Sequence, residues 1–175
     1  LGCSGGHVSF TAAPHLGTVI AYDLSAEMMA AVRVEAAGRG FANIATRQGA
    51  AERLPFGDAE FDFVLSRYSA HHWLDVPAAL AEVRRVLKPE GLAMFMDAVA
   101  PSNVLADTFL QTIEMLRDPS HVRDYTVVEW DAMARRAGFR PDAPVCRRID
   151  LDYASWIARI ATPDTLACAI RVLDR

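Results

Sequence analysis

The sequence has no apolar run of 18 or more residues, so no segment can cross a bilayer as a helix. Cysteine is scarce: Cys3, Cys146 and Cys168 are the three present. An odd, widely spaced set without a Cys-x-x-Cys pair supplies neither a disulfide framework nor a structural zinc site. A reducing, cytoplasmic compartment is the expectation. Basic charge is not in excess, because 18 Lys and Arg stand against 22 Asp and Glu, a net charge of −4. Such a chain is a poor partner for nucleic acid or an anionic membrane, where neutralised phosphates carry most of the affinity. No charged leader opens the chain, and no repeat or low-complexity tract interrupts it. What it does have is apolar content, 52 % of 175 residues. That suits one domain burying roughly 70 % of its unfolded surface and excludes a disordered chain.

Strand-like and helix-like stretches alternate. Thr18 to Tyr22 is β-branched and apolar and ends at Asp23. Ser25 is placed to cap a helix carrying Met28, Met29, Val32 and Ala36, which Gly38 and Gly40 stop. Ile44–Thr46, Phe61–Ser66 and Leu92–Val99 read as further strands. Asp75 caps a helix with Val76, Leu80, Val83 and Leu87 on one face, ended by Lys88-Pro89-Glu90-Gly91. Val104–Leu116 is helical, and Thr126 with Glu129 forms a capping box for a helix ending at Gly138. Val145–Leu151 is expected as a last strand, and Thr162-Pro163 as the cap and first residue of a final helix. Strand, helix, strand, helix predicts parallel pairing with crossover helices, a three-layer α/β domain. Ligands in such sheets sit beyond the carboxyl ends of the strands. The residues to weigh are therefore 2–7, 23–24, 49–52 and 66–73.

Gly2, Gly5 and Gly6 let the backbone approach a ligand closely. Asp23 ends the next strand, 21 residues after Gly2, where a carboxylate can accept from both hydroxyls of a ribose. Together they point to a nucleoside cofactor. Gly2-Cys3-Ser4-Gly5-Gly6 is also a literal G-x-S-x-G, the nucleophile elbow of α/β-hydrolases, which would make Ser4 a nucleophile with Asp97 and His121 as partners. An elbow needs a strand and an oxyanion loop before it and has no use for Asp23.

The most informative stretch is Gly49-Ala50-Ala51-Glu52-Arg53-Leu54-Pro55-Phe56, then Phe61-Asp62-Phe63-Val64-Leu65-Ser66, then His71-His72-Trp73, then Ala79 through Gly91. With the glycine turn and Asp23, this order of motifs resembles the class I S-adenosylmethionine-dependent methyltransferases, in the branch of the ubiquinone/menaquinone C-methyltransferases. The likeness runs from Leu1 to about Val99. It implies a Rossmann-like sheet that lacks its first and last strands within this chain. It also implies a cofactor-binding core over residues 1–100 and substrate-side helices with a last strand over 101–175. S-adenosylmethionine would lie against Gly2, Cys3, Ser4, Gly6 and His7, with Asp23 on the ribose. Leu24, Met28, Ala50, Ala51 and Glu52 would surround the adenine, and Ser66 and Arg67 the methionine end. Ser4 stands where a Gly is usual, which suits a negative φ, and Ala50 where an Asp is frequent.

The sulfonium of such a cofactor is already a strong electrophile. The protein must supply an in-line approach and a dry pocket. No metal is required, and the acceptor is expected to be a small molecule. A general base helps when that acceptor is an oxygen, a nitrogen or an acidic carbon; His71, His72 and Tyr68 are the candidates. Two other functions share the early motifs: a nicotinamide-dependent oxidoreductase, and a relative that binds cofactor without transferring a group. Preferential binding of NAD would single out the first, and cofactor binding without transfer the second. The three cysteines are expected as small core fillers, Met94 and Met96 in a buried strand, and Trp73, Trp130 and Trp156 as packing residues. His121, Arg123 and Tyr125 fall in a loop that could touch substrate.

Overall fold

The computed structural model describes residues 1–173. Helix α1 (His7–Ala12) continues into a 3-10 turn and leads to β1 (Val19–Asp23), α2 (Ala26–Gly38) and β2 (Ile44–Gln48). After a long connector come β3 (Phe61–Arg67), a 3-10 turn over Ala70–His72, α3 (Val76–Val86) and β4 (Leu87–Met96). Four helices close the described chain: α4 (Val104–Arg117), α5 (Val127–Arg136), α6 (Tyr153–Ala158) and α7 (Asp164–Leu173). No helix among the described residues is long and apolar enough to cross a membrane.

Local chemistry sets the starts of these helices. The Ser25 hydroxyl accepts from Met28 N at 3.1 Å and the Asp75 carboxylate from Ala78 N at 2.9 Å, each satisfying a first-turn amide that the helix leaves without a partner. At α5, Thr126 Oγ1 accepts from Glu129 N and Glu129 Oε2 accepts from Thr126 N, so the capping box forms as expected. Helix α3 is the central buried element. Its Val76, Ala79, Leu80 and Val83 are fully buried, against Trp73, Ala51, Ala70 and Met133 on one side and Tyr22, Leu54 and Leu87 on the other. Helix α2 buries Met29, Val32 and Ala36 against Phe10 and Ala21.

The strands form two parallel pairs, β1 with β2 and β3 with β4, which are not hydrogen-bonded to each other. Between them lies a cavity of about 920 Å³ bounded by Val19, Ile20 and Tyr22 of β1 and by Phe63, Val64 and Leu65 of β3. The chain bridges one end of this slot: Leu1 N donates to Leu65 O at 2.8 Å and Cys3 N to Tyr22 O at 3.1 Å. The slot lies where the strand expected before the glycine turn would run.

Several expectations need correction. Strand β4 begins at Leu87, without a turn before it. Lys88–Gly91 absorbs a register shift between the Phe61–Leu87 and Phe63–Leu92 pairs. Gly91 suits that bulge because a Cβ there would lie 3.1 Å from the Asp62 carbonyl. Residues 145–151 form no strand: no sheet edge pairs with them, and Val145, Ile149 and Leu151 are exposed. The Thr162 hydroxyl caps nothing and donates to Arg117 O at 3.0 Å, so Pro163, whose carbonyl accepts from Leu166 and Ala167, opens α7. Cys146 and Cys168 are exposed and fill no core, whereas the half-buried Cys3 packs against the Phe10 and Val32 cluster as expected. Met94 and Met96 are about half exposed on an uncovered face of β4, whereas Trp73 and Trp156 are buried as expected.

Candidate functional site

The glycine turn and Asp23 form one hydrogen-bonded unit. Asp23 Oδ2 accepts from Ser4 N at 2.8 Å, and Asp23 Oδ1 from Ser25 N at 3.0 Å. Each carboxylate oxygen keeps a lone pair for a further donor. Gly2, Ser4 and Gly6 all take left-handed backbone conformations, with φ of 59°, 45° and 83°. A negative φ was expected at Ser4; the turn keeps the glycine-type conformation and its serine bears a strain of about 1–2 kcal/mol. The bond from Ser4 N to Asp23 holds it there. Gly6 is required by packing, since a Cβ would sit 2.9 Å from the Phe10 ring. His7 is exposed at the start of α1.

The 49–52 segment is tied to the same unit. Gly49 N donates to Asp23 O at 3.0 Å, and the Tyr22 hydroxyl donates to Ala50 O at 3.1 Å. Leu24 is exposed at the rim, Met28 is half-buried, and Ala51 faces the core. Glu52, expected beside an adenine, turns one oxygen the other way: its Oε1 accepts from Leu74 N and Asp75 N at 2.8 and 3.2 Å and fixes the entrance to α3. Ser66 is buried with its hydroxyl unpartnered. Arg67 is exposed with its guanidinium 4.7 Å above the Tyr68 ring.

Beyond β3 and β4 the structure assembles a histidine and carboxylate cluster. His71 Nδ1 lies 2.5 Å from Asp97 Oδ1. Asp97 also accepts from the amides of Ser69, Ala70 and Ala98, so it orders the whole loop after β3. The His72 ring lies against that of His71, tilted by 50° with centroids 4.2 Å apart, and its Nδ1 lies 3.1 Å from Ser120 O. His121 is buried, bonded to Gln111 Oε1 at 2.9 Å, and 5.7 Å from the His71 ring. Burial, with the nearby charge of His71 and His72, pushes its pKa down to about 4. Burial also disfavours a charged His71, yet the Asp97 hydrogen bond and the carboxylates of Asp97, Asp124 and Glu114 outweigh it and raise its pKa. Asp124 is 2 % exposed and neither carboxylate oxygen has a partner among the described residues. Burial raises its pKa to about 6.

The structure thus joins Gly2, Ser4, Gly6, Asp23 and Ala50 in one unit, brings His71 and His72 together in a separate cluster, and leaves Tyr68 out of that cluster, on the slot with Gly2 and Ser4. Sequence reasoning missed Asp124 and Gln111 and considered Asp97 only as a hydrolase acid. Asp97 follows directly on a strand, which was signal enough to place it at the ligand-binding edge. Nothing in the residues around Asp124 announces a buried acid.

A parallel α/β sheet with a glycine bend joined to an acid at the next strand end defines a nucleoside-cofactor fold. Comparison with known proteins narrows it: the methyltransferase domain family matches residues 1–95. The chain belongs to that family and is by class an S-adenosylmethionine-dependent methyltransferase. It is 48 % identical over 170 residues to the uncharacterised protein YafE of Escherichia coli K12, covering 97 % of this chain and 82 % of YafE. The crystal structure of YcgJ from Bacillus subtilis superposes with a TM-score of 0.96 at 35 % identity, over 98 % of this chain and 74 % of that one. The demethylmenaquinone methyltransferase of Chlorobaculum parvum is 35 % identical over 85 residues, 49 % of this chain and a smaller share, 33 %, of that enzyme.

Proposed function

We propose that the cradle of Gly2, Ser4, Gly6 and Asp23 binds S-adenosylmethionine and that its methyl group passes to a small molecule which loses a proton as it is methylated. One observation carries the reading: both Asp23 oxygens already hold the amides of the turn and of α2, with lone pairs left for a ribose diol. Gly49 and Ala50, anchored by Asp23 and Tyr22, form the adenine side, recognised through backbone and apolar contact because Ala50 carries no acceptor. Ser66 and Arg67 flank the methionine end.

His72 is the proton acceptor in this reading. A bond from its Nδ1–H to Ser120 O leaves Nε2 with the lone pair, and Nε2 has no partner among the described residues. His71 is instead held in the Asp97 cluster, and Tyr68 forms the wall beside Arg67. The unpaired state of Cys3, Cys146 and Cys168 supports a reducing, cytoplasmic setting. The excess of acidic over basic residues points away from nucleic acid as acceptor.

Calorimetric titration tests the cradle. S-adenosylhomocysteine should bind, NAD should not, and Asp23→Ala should weaken S-adenosylhomocysteine at least roughly tenfold, the worth of one charge-assisted hydrogen bond. Binding of NAD alone would overturn the reading. Methyl transfer to a panel of quinols, phenols and amines then separates an enzyme from a cofactor-binding relative, and His72→Gln should lower turnover with little change in cofactor affinity.

A further inference from the structure

We propose that His71, Asp97 and Asp124 form a binding site for a divalent transition-metal ion. One donor atom from each lies within 4.8 Å of the other two. They arrive from three elements: the turn after β3, the end of β4, and the loop between α4 and α5.

Asp124 is the observation that calls for a ligand. It is 2 % exposed and both carboxylate oxygens are buried without a partner among the described residues, although a buried carboxylate is almost always paired or bound to a cation. Its backbone cannot swing it out to water. Gln111 Oε1 accepts from Asp124 N at 3.0 Å while Gln111 Nε2 donates to Asp124 O at 2.9 Å. The nearby guanidinium groups are engaged elsewhere. Arg123 pairs with Asp107 and Glu129, and Arg117 pairs with Glu114 and covers the Trp156 ring. His121 is bonded to Gln111. Among the described residues His71 is the basic group that faces the acid, and Asp97 already engages its Nδ1.

An imidazole with two carboxylates suits zinc, manganese, iron or cobalt better than calcium or magnesium, which prefer all-oxygen sets. Metal–ligand bonds of about 2.0–2.2 Å put two donors on one ion roughly 3 Å apart, so Asp124 must rotate inward to close the set. The ion replaces the proton shared by His71 and Asp97, which leaves to solvent. The Ser69, Ala70 and Ala98 amides on Asp97 serve as the outer shell that fixes its orientation. The His71 side chain keeps 18 % exposure, which gives the ion a way in.

Tag-free protein, stripped with chelator and then dialysed against micromolar Zn²⁺, Mn²⁺ or Co²⁺, should retain about one equivalent of at least one ion by elemental analysis, and its melting temperature should rise with that ion. Co²⁺ should give a ligand-field absorption band. Asp124→Asn and His71→Gln should each lower retention at least roughly tenfold. Without metal, Asp124→Asn should melt no lower than the parent, because it removes an unpaired buried charge. Failure of the parent to retain any of the three ions, or equal retention by both variants, overturns the proposal. If Asp124→Asn does not fold, His71→Gln decides. The measurement uses neither cofactor nor acceptor, so a negative result leaves the Asp23 cradle untouched.

Discussion

Gly49 joins the fold to the Asp23 unit through its amide, and its replacement has a calculable cost. A Cβ at this position would sit 2.1 Å from the Tyr22 hydroxyl and 2.9 Å from the ring carbon that bears it. The backbone at Gly49 is not left-handed, so alanine there is opposed by contact alone. Tyr22 cannot retreat, because it is 3 % exposed and packed against Leu54, Val83 and Phe56. Gly49→Ala should therefore cost about 2–3 kcal/mol as an overpacked core does. In a chain of this size that lowers the melting temperature by roughly 4–12 °C. Tyr22→Phe alone should cost about 1 kcal/mol for its hydrogen bond to Ala50 O. In the double variant the nearest atom is the ring carbon, so the closest approach lengthens from 2.1 to 2.9 Å and most of the clash is relieved. Gly49→Ala should then cost about 1 kcal/mol, a coupling of roughly 1–2 kcal/mol between the sites. Urea unfolding of the four proteins measures it. Costs that simply add, within about 0.5 kcal/mol, would refute the contact as the reason for glycine. The alanine variant should also bind S-adenosylhomocysteine more weakly, since displacing residue 49 pulls on the bond from its amide to Asp23 O.

Thr126→Ala removes the hydroxyl that caps α5 and should lower stability by about 1 kcal/mol in the same urea assay, while Thr126→Ser should restore most of it. Burial and the neighbouring Asp23 charge push the Cys3 thiol up to about 11. Its thiolate fraction at pH 8 is then about one in a thousand. Iodoacetamide should label the exposed Cys146 and Cys168 at that pH and reach Cys3 only as the pH rises toward 11; three equal labelling rates at pH 8 by mass spectrometry would contradict the raised pKa of the half-buried Cys3.

Local rules made much of this fold legible. The caps at Ser25, Asp75 and Thr126 fall where the side-chain chemistry predicted, because each needs only an amide two or three residues away. The link between the glycine turn and Asp23 was legible because Asp23 ends the first strand after the turn, where its carboxylate meets the Ser4 amide. Residues 145–151 misled for a related reason. Val145, Ile149 and Leu151 have strand-type patterning, but a strand needs a partner edge, and propensity does not supply one. Met94 and Met96 are apolar members of a real strand whose outer face nothing covers among the described residues, and no local pattern reports coverage. Ser4 shows tertiary bonding overriding residue type, since its left-handed φ is held by Asp23 Oδ2.

The cluster around His71 marks where such reading stops. His71 and Asp97 are 26 residues apart, and they meet because β3 and β4 are adjacent parallel strands whose ends release both side chains to the same edge. Given the strand order, that encounter follows. Asp124 comes from no strand. Its place is decided by Gln111, 13 residues earlier on α4, whose amide grips both the N–H and the C=O of residue 124. A neutral side chain thus holds an acid out of water beside a histidine, and the acid's desolvation, rather than any motif, gives the pair its chemistry. Residue type in the 118–126 loop is therefore a poor guide to function there. The informative quantity is whether the backbone of each acid is held, and Asp124 is the one that α4 holds at both its amide and its carbonyl.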